Sequence, residues 1–174
     1  MTENNSSLNQ TPFYNRRGVL VTPQAHSVIK PRRGAWVVAK AQDSIMLLWP
    51  DDDKDIPDLI GGGVDDGESL EQAAQREWVE ETGLSFEPES GPHNTYHHVR
   101  GFCPDDQSEF WIYDQTFSLY TFERKQELGK KWRNPEGDLA GWVRFEEVAS
   151  ARINRAHWLA IEVLMPEINI VGKN

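Results

Sequence analysis

The sequence predicts an α/β fold of the α+β kind, a mixed β-sheet packed between helices, and three observations lead there. Short runs of apolar, β-branched and aromatic residues recur along most of the chain and read as strands. Only two segments, opening near Ser69 and Ile153, carry apolar residues at helical spacing. The strands outnumber the helices and do not alternate with them one for one, which suits an α/β/α sandwich better than a doubly wound parallel sheet.

Residues 1–17 are polar and rich in Asn, Ser and Thr, with Phe13 and Tyr14 as the large apolar groups. Little there offsets the entropy of ordering, so the segment reads as a flexible tail ahead of a single domain over 18–170. Strands are expected at 19–21, 35–39 and 45–49, the last two joined by the hairpin link Ala41-Gln42-Asp43-Ser44. The acidic stretch from Asp51 to Pro57 and the run Gly61-Gly62-Gly63 carry loop chemistry. A helix follows: Ser69 and Gln72 form a capping box, Leu70, Ala73 and Ala74 supply an apolar stripe, and Gly83 ends it in a left-handed cap. Further strands are expected at 96–102 and 109–122, with a turn at Pro104-Asp105-Asp106, and at 142–145. The last helix runs over 153–165, and Pro166 marks its exit.

A formal net charge of -10 makes the surface repel long nucleic acids, so a polynucleotide partner is not expected. Small phosphorylated substrates remain open, because a cation held by clustered carboxylates reverses the local sign of charge. Cys103, the lone cysteine, cannot form an internal disulfide, and no secretory leader or bilayer-length apolar run is evident. The expected location is cytoplasmic, without membrane association. The sequence is compatible with a homodimer but does not specify one.

Glu77, Glu80 and Glu81 stand at i, i+3 and i+4, so their carboxylates share a helix face. Acid clusters on helices are usually solvated, yet here the face prolongs the apolar stripe. At 100° per residue Leu70, Ala73 and Ala74 fall within about 60° of Glu77, while Gln72, Gln75 and Val79 take the far side. Carboxylates crowded beside a core repel one another by about 4 kcal/mol per pair at 4 Å and an effective dielectric of 20. Raised pKa values or Arg76 could compensate, but a hard divalent cation with oxygen ligands does so best, magnesium first and manganese as a substitute.

Gly62, five residues, Glu68, seven residues, then Arg76-Glu77-Trp78-Val79-Glu80-Glu81-Thr82-Gly83-Leu84 resembles the Nudix box at every defined position. The resemblance implies a Nudix-like sandwich and a metal-dependent hydrolase that cleaves the pyrophosphate bond of a nucleoside diphosphate linked to another moiety. It further implies Glu77, Glu80 and Glu81 as metal ligands with the carbonyl of Gly61, Arg76 as an orienting residue, and Glu68 as a supporting acid near the metal. A glutamate on a later loop serves many members as ligand or base, and Glu136 is the match here, with Asp138 second and Glu77 an alternative base. One departure is the stretch before the glycines, Pro57-Asp58-Leu59-Ile60, which replaces a frequent Trp-Pro pair and leaves the substrate undefined. Two other readings keep the fold and change the activity: a non-catalytic nucleotide-sensing module, which would be expected to lose box acids, and a metal-dependent isomerase.

His93, His97 and His98 lie near Asp105 and Asp106, but zinc ligation at His-x-x-x-His spacing needs a helix where this stretch reads as loop and strand. Most of the seven tryptophans read as core, with Trp49 or Trp111 as candidates for stacking a base. Cys103 has no basic neighbours that would activate it.

Overall fold

The computed structural model describes residues 11–51, 55–104, 109–148 and 152–170. Nine strands and three helices follow in order: β1 Phe13–Tyr14, β2 Leu20–Val21, β3 Ile29–Ala41, β4 Ser44–Trp49, β5 Ile60–Gly63, α1 Leu70–Thr82, β6 Thr95–Phe102, β7 Phe110–Thr121, β8 Lys131–Arg133, β9 Leu139–Arg144, α2 Phe145–Val148 and α3 Arg155–Leu164. A 3-10 turn, Pro166–Ile170, ends the described chain. The sheet order is β2-β1-β6-β7-β3-β4-β9-β8, with β5 as a further partner of β3. It is mixed: β3 with β7 and β1 with β6 are parallel, and the other pairs are antiparallel.

The sheet is covered on both faces, as expected of a sandwich. Ala73, Ala74 and Trp78 of α1 pack with Ala35, Val37, Met46, Leu48, Tyr120, Phe122 and Trp142 on one side. Ala156, Ala160, Ile161 and Leu164 of α3 pack with Trp36, Val38, Ile45, Leu47 and Phe117 on the other. Alternate residues of β3 therefore enter opposite cores, which is why its centre reads as an unbroken apolar run. The hairpin pairs Ala41 with Ser44, and Gln42 takes the left-handed turn position at φ 54°. Among the described residues no helix is long and apolar enough to cross a membrane.

Several elements differ from expectation. Residues 1–10 of the expected tail lie outside the described chain, but Phe13 and Tyr14 join the sheet beside β6. Phe13 is 2 % exposed and meets Phe110 edge-on at 5.2 Å, so its burial anchors a segment whose composition alone reads as a tail. Residues 61–63, read as loop, form β5 together with Ile60 against Gly34–Val37. Glycine makes that approach feasible: Gly61 has φ +144°, and a Cβ there would lie 2.3 Å from the Ala35 carbonyl oxygen. The strand expected at 142–145 starts earlier, at Leu139, and gives way to α2 at Phe145; β8 is too short for a periodic signal. Asp105 and Asp106 lie outside the described residues.

Candidate functional site

Both ends of α1 are held by local chemistry. At its start Ser69 Oγ accepts from the Gln72 N–H at 3.1 Å and Gln72 Oε1 accepts from the Ser69 N–H at 2.9 Å, closing the capping box. At its end Gly83 adopts φ 70° and its N–H reaches the Val79 carbonyl. β8 and the loop after it clamp the same end: Asn134 Nδ2 donates to the Glu81 carbonyl at 2.9 Å, and Trp132 Nε1 donates to the Thr82 carbonyl at 2.7 Å.

Glu68 and Glu77 are largely hidden from bulk solvent. Side-chain exposure is 14 % for Glu77 and 15 % for Glu68, and only Glu80, at 43 %, is well exposed. Arg76 is their hub. Its Nε and Nη2 each donate to Glu68 at 3.0 Å, Nη1 reaches Glu77 at 2.8 Å and Glu80 at 3.0 Å, and Nη2 also donates to the Gly63 carbonyl at 2.8 Å. The expected single contact to a box carboxylate is thus a four-partner fan, for which the planar guanidinium is suited. Among the described residues no three His, Cys, Asp or Glu side chains already converge as a ligand shell, because this arginine stands among the acids.

Glu81 is the box acid that Arg76 does not reach. Its Oε2 accepts from the Gly61 N–H at 2.7 Å, which ties α1 to β5. Burial pushes its carboxyl well above the ordinary value, with the charges of Glu77, Asp58 and Glu136 adding to the rise and the Gly61 N–H opposing it. Glu77 is also pushed up, first by burial and further by Glu80 and Glu136, against the pull of Arg76. Glu68 moves the other way, held down by its bonds to Arg76. Gly62 makes room for this cluster, since a Cβ there would sit 2.5 Å from Glu77 Oε1. Glu81, which Arg76 does not reach, and Glu77, which shares Arg76 with Glu68 and Glu80, set hard oxygen donors around a glycine cradle, a donor set that fits a divalent cation.

Glu136 is exposed, and its charge is felt by both Glu77 and Glu81, so the fold brings it to the box. Asp138 is engaged elsewhere: its Oδ1 accepts from the Asp51 N–H at 2.7 Å and its N–H donates to Asn134 Oδ1 at 2.8 Å. Of the base-stacking candidates, Trp49 lies under Lys131 at 3.5 Å and Trp111 under Arg32 at 4.0 Å, so each ring has a cation on one face. His97 bonds Thr116 at 3.1 Å while His98 lies 3.5 Å from Tyr96 OH, and the two are successive strand residues facing opposite sides of the sheet. They cannot share a metal.

Two further polar residues withdrawn from solvent have no signal in the sequence. Asp58, hidden in an acidic stretch, bonds Arg16 at 2.6 Å and lies 3.2 Å from His157 Nδ1, which also accepts from the Leu59 N–H. Burial raises the Asp58 carboxyl, but His157, Arg16 and Arg100 together bring it below the ordinary value. Gln115 is fully buried on β7 with neither amide atom hydrogen-bonded. Gln115 gave no signal because it stands between Asp114 and Thr116 in a polar stretch of β7, and Asp58 gave none because it closes an acidic stretch.

A mixed sheet between helices thus carries glutamates gathered about one arginine at a helix edge. The NUDIX domain model matches residues 16–164, and the chain belongs to the Nudix family, whose pyrophosphohydrolase chemistry makes it an enzyme acting on small nucleotide-derived substrates. Similar solved structures share the fold. The dihydroneopterin triphosphate pyrophosphohydrolase of E. coli is 21 % identical with a TM-score of 0.54, covering 78 % of this chain and 95 % of its own. The Nudix hydrolase RenU of M. smegmatis is 15 % identical with a TM-score of 0.55, over 92 % and 97 %. The MutT protein of Bacillus halodurans is 22 % identical with a TM-score of 0.50, over 77 % and 82 %. No curated protein matches the sequence.

Proposed function

We propose that the protein is a magnesium-dependent hydrolase, with manganese as a substitute, that cleaves the pyrophosphate bond of a nucleoside diphosphate linked to another moiety in the cytoplasm. The observation that carries this reading is the placement of Glu77 and Glu81 at the core edge, where burial drives both carboxyls up and Arg76 reaches only one of them. Glu77, Glu80 and Glu81 would hold the ion with the Gly61 carbonyl, and Glu68 would support them by keeping Arg76 in place. When bound, such a cation neutralises charge on the phosphate oxygens.

The chain's own groups do the rest. Arg76 spaces the carboxylates, and Gly62 leaves the room they occupy. Water attacks one phosphorus, the anhydride P–O bond breaks, and a carboxylate takes the water's proton. Glu136 is the better base than Asp138, because Asp138 is committed to the Asp51 N–H. Glu77 is less suited to that task while it is ion-paired to Arg76.

A screen of purified protein against nucleoside triphosphates, nucleotide sugars, ADP-ribose, dinucleotide cofactors and dinucleoside polyphosphates, with and without magnesium, tests the reading. Glu80→Gln and Glu81→Gln are each expected to lower turnover by about a hundredfold or more while the protein stays folded. Turnover within a few-fold of wild type in both removes the metal-site model. Glu136→Gln is expected to lower kcat by about a hundredfold yet keep the magnesium-induced rise in Tm; loss of that rise would make Glu136 a ligand instead.

A further inference from the structure

A cavity of about 790 Å³ lies between the amino-terminal segment, β6 and the start of α3, apart from the Arg76 hub. Arg16, Arg17, Arg100, Arg152 and Arg155 line it, and no Asp or Glu among the described residues does. The chain carries 28 Asp and Glu against 18 Lys and Arg, so a wall whose described residues include five arginines and no acid runs against the charge of the molecule as a whole.

The fold holds two of these guanidiniums in place. Arg16 Nη2 donates to Asp58 at 2.6 Å and to the Ile56 carbonyl at 3.3 Å. Arg100 Nη1 donates to Asn154 Oδ1 at 3.2 Å, while its Nε is buried without a hydrogen-bond partner. Asn154 Oδ1 also accepts from the Ala156 N–H at 3.1 Å and so caps α3, leaving the positive field of the cavity to the arginine side chains. Arg152 and Arg155 are exposed at the rim.

We infer that this cavity binds a phosphorylated small molecule, at a place distinct from the acids of α1. Guanidinium forks match phosphate oxygens bidentately, and an anion relieves the mutual repulsion of the arginines. The volume suits a ligand of nucleotide size, larger than a bare inorganic anion. Tyr14, Val99 and Leu159 supply apolar wall for an organic body. Asp58 stands behind Arg16 and also acts on Glu81, so the cavity and the box are electrostatic neighbours. The phosphate could belong to a distal part of the substrate or to a separate effector.

Calorimetric titration of the metal-free full-length protein in EDTA, with ADP and with inorganic pyrophosphate, tests the site whether or not the proposed hydrolysis holds. Both probes are expected to bind, ADP more tightly. Arg152→Ala with Arg155→Ala should weaken each by at least about tenfold. The control pair, Lys125→Ala with Lys130→Ala, removes the same charge from exposed positions elsewhere and should change affinity by less than about twofold. No binding of either probe at millimolar concentration, or equal weakening in the two double variants, overturns the inference. Melting curves without ligand check folding, and Arg155→Gln alone replaces the first pair should that pair unfold. In turnover assays a raised KM for Arg152→Ala with Arg155→Ala assigns the phosphate to the substrate. An unchanged KM alongside lost ADP binding assigns it to an effector.

Discussion

Glu81 has its carboxyl pushed well above 4.5 by burial, with only the Gly61 N–H favouring its charged form. A folded-state value above the unfolded one favours the protonated protein, so this contribution to stability is present below about pH 4.5 and is lost as pH rises through the higher folded value. Glu77 contributes with the same sign. A divalent cation requires the ionised acids, so it restores stability where they have lost it. The magnesium-induced gain in Tm is therefore expected to be small at pH 5 and to grow toward pH 8. Glu81→Gln, whose amide oxygen can still accept from Gly61, should melt no lower than wild type without metal and should lose most of the magnesium gain. A gain of equal size at both pH values would separate metal binding from these carboxylates. The spacing of the box acids was legible in the sequence because i, i+3 and i+4 place side chains on one face whatever surrounds the helix. The fan of Arg76 was not, since Gly63 and Glu68 reach it through the loop that precedes α1.

At the scale of elements, α1 was legible almost to the residue, because the capping box and Gly83 mark its ends in purely local chemistry. β5 escaped because Ile60-Gly61-Gly62-Gly63 has no side-chain alternation to read; its pairing is dictated by how closely glycine backbone approaches β3. β1 escaped for a related reason, as two residues carry no period and their partner β6 is distant in sequence. The clamp on α1 also joins distant segments. Asn134 connects the Glu81 carbonyl to the Asp138 N–H and so sets the loop that carries Glu136. Asn134→Ala removes both bonds at a buried position and is expected to cost about 1–3 kcal/mol of stability, measured by urea unfolding. It should also lower kcat about tenfold with little change in KM. An unchanged kcat would show that Glu136 is placed by other contacts.

Across the whole molecule, the expected sandwich is present with a helix on each face, and the core extends past the strands of the central hairpin to a third small cluster of Phe13, Cys103 and Phe110. Phe13→Ala is expected to lower stability by about 3 kcal/mol, because it empties the contact that pins the amino-terminal strand. A loss below about 1 kcal/mol, read from chemical unfolding, would mean that β1 rests on the sheet without supporting it. The outermost strands have a consequence of their own. β2 offers two residues and β8 three, and Lys131 and Arg133 make the latter rim cationic. Each of these two short strands offers little unpaired backbone to a strand from another copy, which limits edge-to-edge pairing at the two ends of the sheet.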